Sequence, residues 1–250
     1  MTNNTFEDIG FSLYSLENFE DENFAQEFLN LLLRGPKFAV PKKYGRYEPI
    51  VDQIEPHNLS PIIKLWMGFG DNEHKEGLLL MKIKRQCYFM INWEKKTSPS
   101  FSAITGGITI KEIRKKKTYL DEYISLIKKI VKLINPVYGK IQNKSFPGWE
   151  NPLDLQKRLP DISWGSFYGA PYIEMFGKEK ILNAPFYKIE RLESDHFFLQ
   201  ASESLYEIVP EDVRARIRDY FGEDAYMSGG RWRYIDGKAP NFDFSHVLSK

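Results

Sequence analysis

Apolar residues recur at helical spacing at Phe24, Phe28, Leu31 and Leu32, and Arg34-Gly35-Pro36 closes the helix they predict. A longer stripe follows at Leu120, Tyr123, Ile124, Ile127, Ile130, Val131 and Ile134. Thr118 is placed to cap that second helix, Asp121 and Glu122 suit the positive end of its dipole, Lys128, Lys129 and Lys132 its negative end, and Pro136 stops it. A third helix begins at Pro210, turns Val213, Ile217, Tyr220 and Phe221 inward and ends at Gly222. Elsewhere the period shortens. Residues 77–84 and 86–93 are rich in β-formers and alternate in part, which predicts paired strands, and 105–113, with Ile108, Ile110 and Ile113, predicts another. A strand over 137–142 follows the long helix, and 185–192 with 197–201 predicts a hairpin around Glu193-Ser194-Asp195-His196.

Strands gathered in hairpins, long helices inserted between them and no repeating βαβ pattern predict an α+β fold, a mainly antiparallel sheet packed by several helices. A single domain over residues 1–250 is expected, and the stretch 143–161, with Pro147, Gly148, Pro152 and Pro160, is the place for a subdomain boundary. Trp149 within it argues against a free linker. Residues 38–61 carry Pro41, Gly45, Pro49, Pro56 and Pro61 beside Tyr44, Tyr47 and Ile50, the composition of an ordered irregular connection. Phe242 and Phe244 are expected to tuck the tail onto the core.

The densest local pattern is Trp164 to Gly177, which sets Trp164, Phe167, Tyr168, Tyr172, Met175 and Phe176 among glycines and Pro171. Glycine permits close backbone approach, Pro171 suits a first helical turn, and the aromatics bring large contact areas with polar handles. The run reads as a shaped surface or a tightly packed corner.

Hydrophobic content of 42% with 15% aromatic residues is that of a globular protein. No run of 18 consecutive apolar residues occurs, and MTNNTFEDIG has neither the basic start nor the apolar core of a signal peptide, so no membrane association and a cytoplasmic location are expected. Cys87 is the sole cysteine, and its setting in QCYFMINW predicts a buried strand thiol. The net charge of +1 hides an asymmetry: Met1 to Leu33 holds Glu7, Asp8, Glu17, Glu20, Asp21, Glu22 and Glu27 and none of the 35 Lys and Arg. Such a segment can steer a basic partner. Acids before a helix also simply favour its dipole.

Recognisable catalytic chemistry is sparse. His57, His74, His196 and His246 have no metal-ligand spacing with one another or with Cys87. Consecutive Ser194, Asp195 and His196 cannot align as nucleophile, base and orienter. Gly68-Phe69-Gly70 precedes a strand, where a dinucleotide fingerprint opens a helix, and Gly165-Ser166 lacks the second glycine of a nucleophile elbow. Gly229-Gly230-Arg231-Trp232 has the makings of a small anion nest, although a turn is the plainer reading. The strongest nucleic-acid signal is Lys111, Arg114, Lys115, Lys116 and Lys117, interrupted by Glu112 and consistent with a charged strand-to-helix turn.

With YGRYEPI at Tyr44 to Ile50, WGSFYGAPYIEMFGKEKIL at Trp164 to Leu182 and APNFDFS at Ala239 to Ser245, the chain resembles the cytosolic immunity proteins encoded beside bacterial polymorphic toxins. The resemblance implies a non-enzymatic protein that binds and neutralises a cognate protein toxin by occlusion, without catalytic residues, metal or cofactor. On that reading Glu17, Glu20, Asp21 and Glu22 attract the toxin and Trp164, Tyr168 and Tyr172 adhere to it. Two other classes stay open: an enzyme or small-ligand binder with a site drawn from Arg231, Trp232, Tyr168 and an acid, and a nucleic-acid binder using the 111–117 run.

Overall fold

The computed structural model describes residues 8–84, 86–146, 154–226 and 238–249. Glu7, Pro147, Gly148, Trp149, Pro152, Gly229 to Trp232 and Gly237 lie outside them. Internal contacts divide the chain into two compact units, Met1–Pro136 with Asp243–Lys250, and Val137–Phe242. The described residues form eleven strands and seven α-helices, an α+β fold built mainly on antiparallel sheet.

In the first unit, in chain order, stand β1 (Asp8–Ser15), α1 (Glu22–Leu33), β2 (Lys43–Gly45), β3 (Asp52–Gln53), α2 (Ser60–Trp66) and β4 (Phe69–Gly70). They are followed by β5 (His74–Ile83), β6 (Cys87–Lys96), β7 (Ser102–Thr109), α3 (Ile110–Ile113) and α4 (Tyr119–Ile134). The strands pair antiparallel in the order β1-β7-β6-β5-β2-β3, with β4 also on β5. The predicted hairpin is β5–β6, longer than its apolar stretch, with Leu79 opposite Ile91 and Met81 opposite Phe89. Those four side chains are buried with Phe11, Leu13 and Ile104, and α1, α2 and α4 contribute Phe28, Trp66, Tyr123, Ile127 and Ile130 to the core. Each fully buried side chain of this size is worth roughly 1.5–3 kcal/mol. The Phe11 ring lies against Phe89 and Tyr123, each 6.2 Å away between centroids, and crosses Gly106, where an added Cβ would sit 2.4 Å from it.

Two local expectations change. Ile110 to Ile113 is helical, because the Thr109 side chain accepts from the Glu112 amide at 3.3 Å and caps a turn where the β-branched residues predict strand. Thr118 has helical backbone and makes no side-chain cap; α4 ends on Asn135 in the left-handed conformation, φ 46°.

The second unit holds β8 (Pro136–Asn143), β9 (Gly165–Tyr168), α5 (Ala170–Phe176), α6 (Lys178–Leu182), β10 (Lys188–Arg191), β11 (Phe197–Gln200) and α7 (Glu211–Phe221). Its strands are antiparallel in the order β10-β11-β9-β8. The β10–β11 hairpin and α7 stand where the sequence predicts them, with Ile217 and Phe221 buried. The tail divides: Phe242 meets Tyr172 in the second unit, while Phe244 packs on Phe101 at 5.1 Å in the first. There Leu248 bridges Lys96, and the Ser249 hydroxyl donates to the Glu73 carbonyl at 2.7 Å.

Candidate functional site

The four acids expected to attract a partner sit between β1 and the first turn of α1, and most have internal work. Glu17 Oε1 accepts from Asn135 Nδ2 at 2.8 Å. The Glu20 carboxylate takes Lys75 Nζ at 2.6 Å and Lys95 Nζ at 3.4 Å, and those lysines stand directly opposite each other on β5 and β6. Burial opposes ionisation of Glu20, but the two ammonium groups outweigh it and hold its pKa below the usual carboxylate value. Asp21 caps α1 by accepting from the Phe24 amide at 2.8 Å, and Glu22 is exposed in the first turn. Asp21 and Glu22 are thus the two of the four that face solvent.

Trp164, Tyr168 and Tyr172 are core, only 4%, 2% and 0% exposed, which corrects their assignment to an adhesive surface. The reason is position. β9 is an inner strand of its unit, between β8 and β11, and α5 starts after Gly169 and lays Tyr172 back over it. Trp164 packs on Phe198, and Tyr168 on Tyr138, Tyr172, Phe176 and Phe221 at 5.4–6.2 Å, while its hydroxyl pairs with that of Tyr226 at 3.2 Å. The large apolar side chains that do reach solvent are Tyr47, Val51, Phe69, Leu182, Tyr187 and Ile208. They stand singly along the chain, and neither a period nor a motif in the sequence marks them as exposed.

A histidine cluster that spacing could not reveal lies across the β5–β6 ladder. His74 Nε2 is 2.9 Å from Glu94 Oε1 and 3.9 Å from Glu76 Oε2, and these ligand atoms fall within 4.8 Å of one another. Strand pairing brings Glu76 opposite Glu94, eighteen positions apart in sequence. Glu94 also binds Lys96 at 2.5 Å, so the group is satisfied as an ion-pair array. Burial opposes the charge on Glu94, and Lys96 with His74 overcomes it, lowering its pKa.

The remaining candidates are apart from one another. Asp195 pairs with Arg191, and His196 is buried with Nδ1 2.8 Å from the Ser194 carbonyl and 3.0 Å from the Ser194 hydroxyl. Burial pushes the Cys87 thiol far above its ordinary pKa. Burial lowers Lys140, opposite Ser166, to about 8. Lys111 and Arg114 to Lys117 are exposed around α3, with Lys115 bound to Glu112 at 2.6 Å.

A groove between α1 and α4 of the first unit has a volume of about 880 Å³. Leu31 and Leu126 contribute apolar surface; Glu27, Asp121 and Glu122 supply acids and Arg34 and Lys129 bases. None of these five charged side chains has an ion-pair partner among the described residues.

No protein-family model and no curated protein matches the chain. In fold it is similar to the solved structure of the Pseudomonas aeruginosa T6SS protein PA0821, with a TM-score of 0.55 at 12% identity over 86% of this chain and 76% of that one. No helix among the described residues is long and apolar enough to cross a membrane.

Proposed function

We propose that the chain is a non-enzymatic immunity protein that binds a cognate bacterial toxin in the cytoplasm and neutralises it by occlusion. The observation that carries this reading is the likeness in fold to a T6SS protein over 86% of the chain, which joins the sequence resemblance to immunity proteins. With Trp164, Tyr168 and Tyr172 in the core, the contact moves to surfaces whose charges have no ion-pair partner among the described residues. The α1–α4 groove is such a surface. It suits a toxin segment that sets basic groups against Glu27, Asp121 and Glu122 and an acid against Arg34 or Lys129, while Asp21 and Glu22 speed encounter from outside. Occlusion asks for shape and charge complementarity and no chemistry of the binder's own.

The test is co-expression with the toxin encoded beside it. Restored growth and a recovered complex are expected; a toxin that kills equally well in the presence of this protein overturns the reading.

A further inference from the structure

The outer face of the β5–β6 ladder carries a side-chain cluster that is independent of the toxin reading. His74 and Glu76 are two positions apart on β5 and so share a face, the one opposite buried Leu79 and Met81. Glu94 stands directly opposite Glu76 on β6, and Lys96 opposite His74. Three ligand-type atoms converge there. His74 Nε2 is 2.9 Å from Glu94 Oε1 and 3.9 Å from Glu76 Oε2, and all three atoms lie within 4.8 Å of one another. The backbone beneath them is held on every side: β4 pairs with β5 at Lys75 and Glu76, and the His74 amide donates to Asp71 Oδ1 at 3.0 Å. The tail holds the flanks, with the Ser249 hydroxyl donating to the Glu73 carbonyl at 2.7 Å and the Ser249 amide to the Lys96 carbonyl at 3.2 Å.

Ion pairing answers this cluster unevenly. Glu94 is met on both oxygens, by His74 on Oε1 and by Lys96 at 2.5 Å on Oε2. The Glu76 carboxylate has no hydrogen bond among the described residues, and its ion-pair neighbour is the His74 ring at 3.9 Å, beyond hydrogen-bond reach and charged only while protonated. Beside a neutral imidazole, two carboxylates in directly opposed positions share one lysine. Like charges so placed destabilise a ladder.

A divalent ion removes that conflict and uses all three atoms. Zinc takes imidazole nitrogen and carboxylate oxygen at about 2.0–2.2 Å in a tetrahedral arrangement, which sets the ligand atoms roughly 3.4 Å apart. The separations of 2.9 and 3.9 Å bracket that spacing, so small side-chain rotations suffice. Magnesium and calcium favour shells made of oxygen, whereas imidazole suits zinc and its neighbours in the first transition row. His74 and Glu76 are exposed enough for water to complete the shell.

We infer that His74 Nε2, Glu76 Oε2 and Glu94 Oε1 form a binding site for a divalent transition ion of the zinc type, with water in the fourth position.

Calorimetric titration of the untagged full chain with zinc chloride tests this. Saturable zinc binding is expected, with magnesium bound at least about a hundredfold more weakly. His74→Ala and Glu76→Gln should each weaken zinc at least about tenfold, while His57→Ala, in an exposed turn, should bind as wild type does. Far-UV circular dichroism checks that the variants fold. A long-range ¹H–¹⁵N NMR spectrum of the imidazole rings reads the ligand directly: zinc should move the His74 nitrogen signals, assigned by their loss in His74→Ala. No saturable binding, an equal loss in His57→Ala and His74→Ala, a folded Glu76→Gln variant that binds zinc unchanged, or magnesium bound as tightly as zinc would overturn the inference, and each would leave the toxin reading untouched.

Discussion

Tyr168 and Tyr172 are neighbours in one aromatic cluster with opposite polar fates. The Tyr168 hydroxyl is paired with Tyr226, whereas the Tyr172 hydroxyl is buried with no partner. Tyr168→Phe should therefore cost about 1 kcal/mol, while Tyr172→Phe should be neutral or stabilising, because it removes an unmet polar group and keeps the ring. Tyr172→Ala should cost about 3–5 kcal/mol by emptying the site. Urea unfolding measures all three, and equal losses in the two Phe variants would refute the distinction. The sequence showed that these rings mattered but not which way they faced. In WGSFY the large residues fall at both parities, the pattern of a strand buried on both faces, so no polar side marks the solvent.

Elements with a clean period were readable. The α4 stripe and the β5–β6 pair stand where periodicity places them, because one buried face imposes one repeat. The α3 turn was missed although Thr109-Ile110-Lys111-Glu112 carries the spacing of a capping box; the β-branched residues pointed to strand more loudly. The start of α1 gives two tests at this scale. Asp21→Ala should cost about 1 kcal/mol through loss of the cap. Glu20→Gln should leave Lys75 and Lys95 facing each other without their shared counter-charge, at a cost of roughly 1 kcal/mol for a partly buried group. The folded pKa of Glu20 is lowered, so its contribution is present above the unfolded value, about 4.3, and is lost as pH falls through the folded one. Denaturant unfolding at pH 7 should separate wild type from Glu20→Gln, and the gap should close as pH falls below 4; a gap that persists there counts against the ion pair.

At the scale of the whole molecule, charges without an ion-pair partner among the described residues carry the proposed partner surface. Glu27→Lys with Glu122→Lys should weaken a toxin complex at least about tenfold if the groove is the interface, and Asp212→Lys, exposed on α7, should leave it unchanged. Complex formation by both variants with wild-type affinity would move the interface elsewhere and leave the immunity reading standing. The groove had no sequence signature, since its walls come from helices nearly a hundred residues apart. The route of the tail has a kinetic consequence. Because Asp243–Lys250 belongs with Met1–Pro136, the first unit is interrupted by a second one and cannot be finished until that insertion has been translated. Closing a loop of roughly 100 unfolded residues costs about 4 kcal/mol, so early folding of Val137–Phe242, which shortens the effective tether, should hasten arrival of the tail. A nascent chain paused before Asp243 would present Phe101 without Phe244 and the Lys96 carbonyl without the Ser249 amide, a recognisable unfinished edge for chaperones during synthesis.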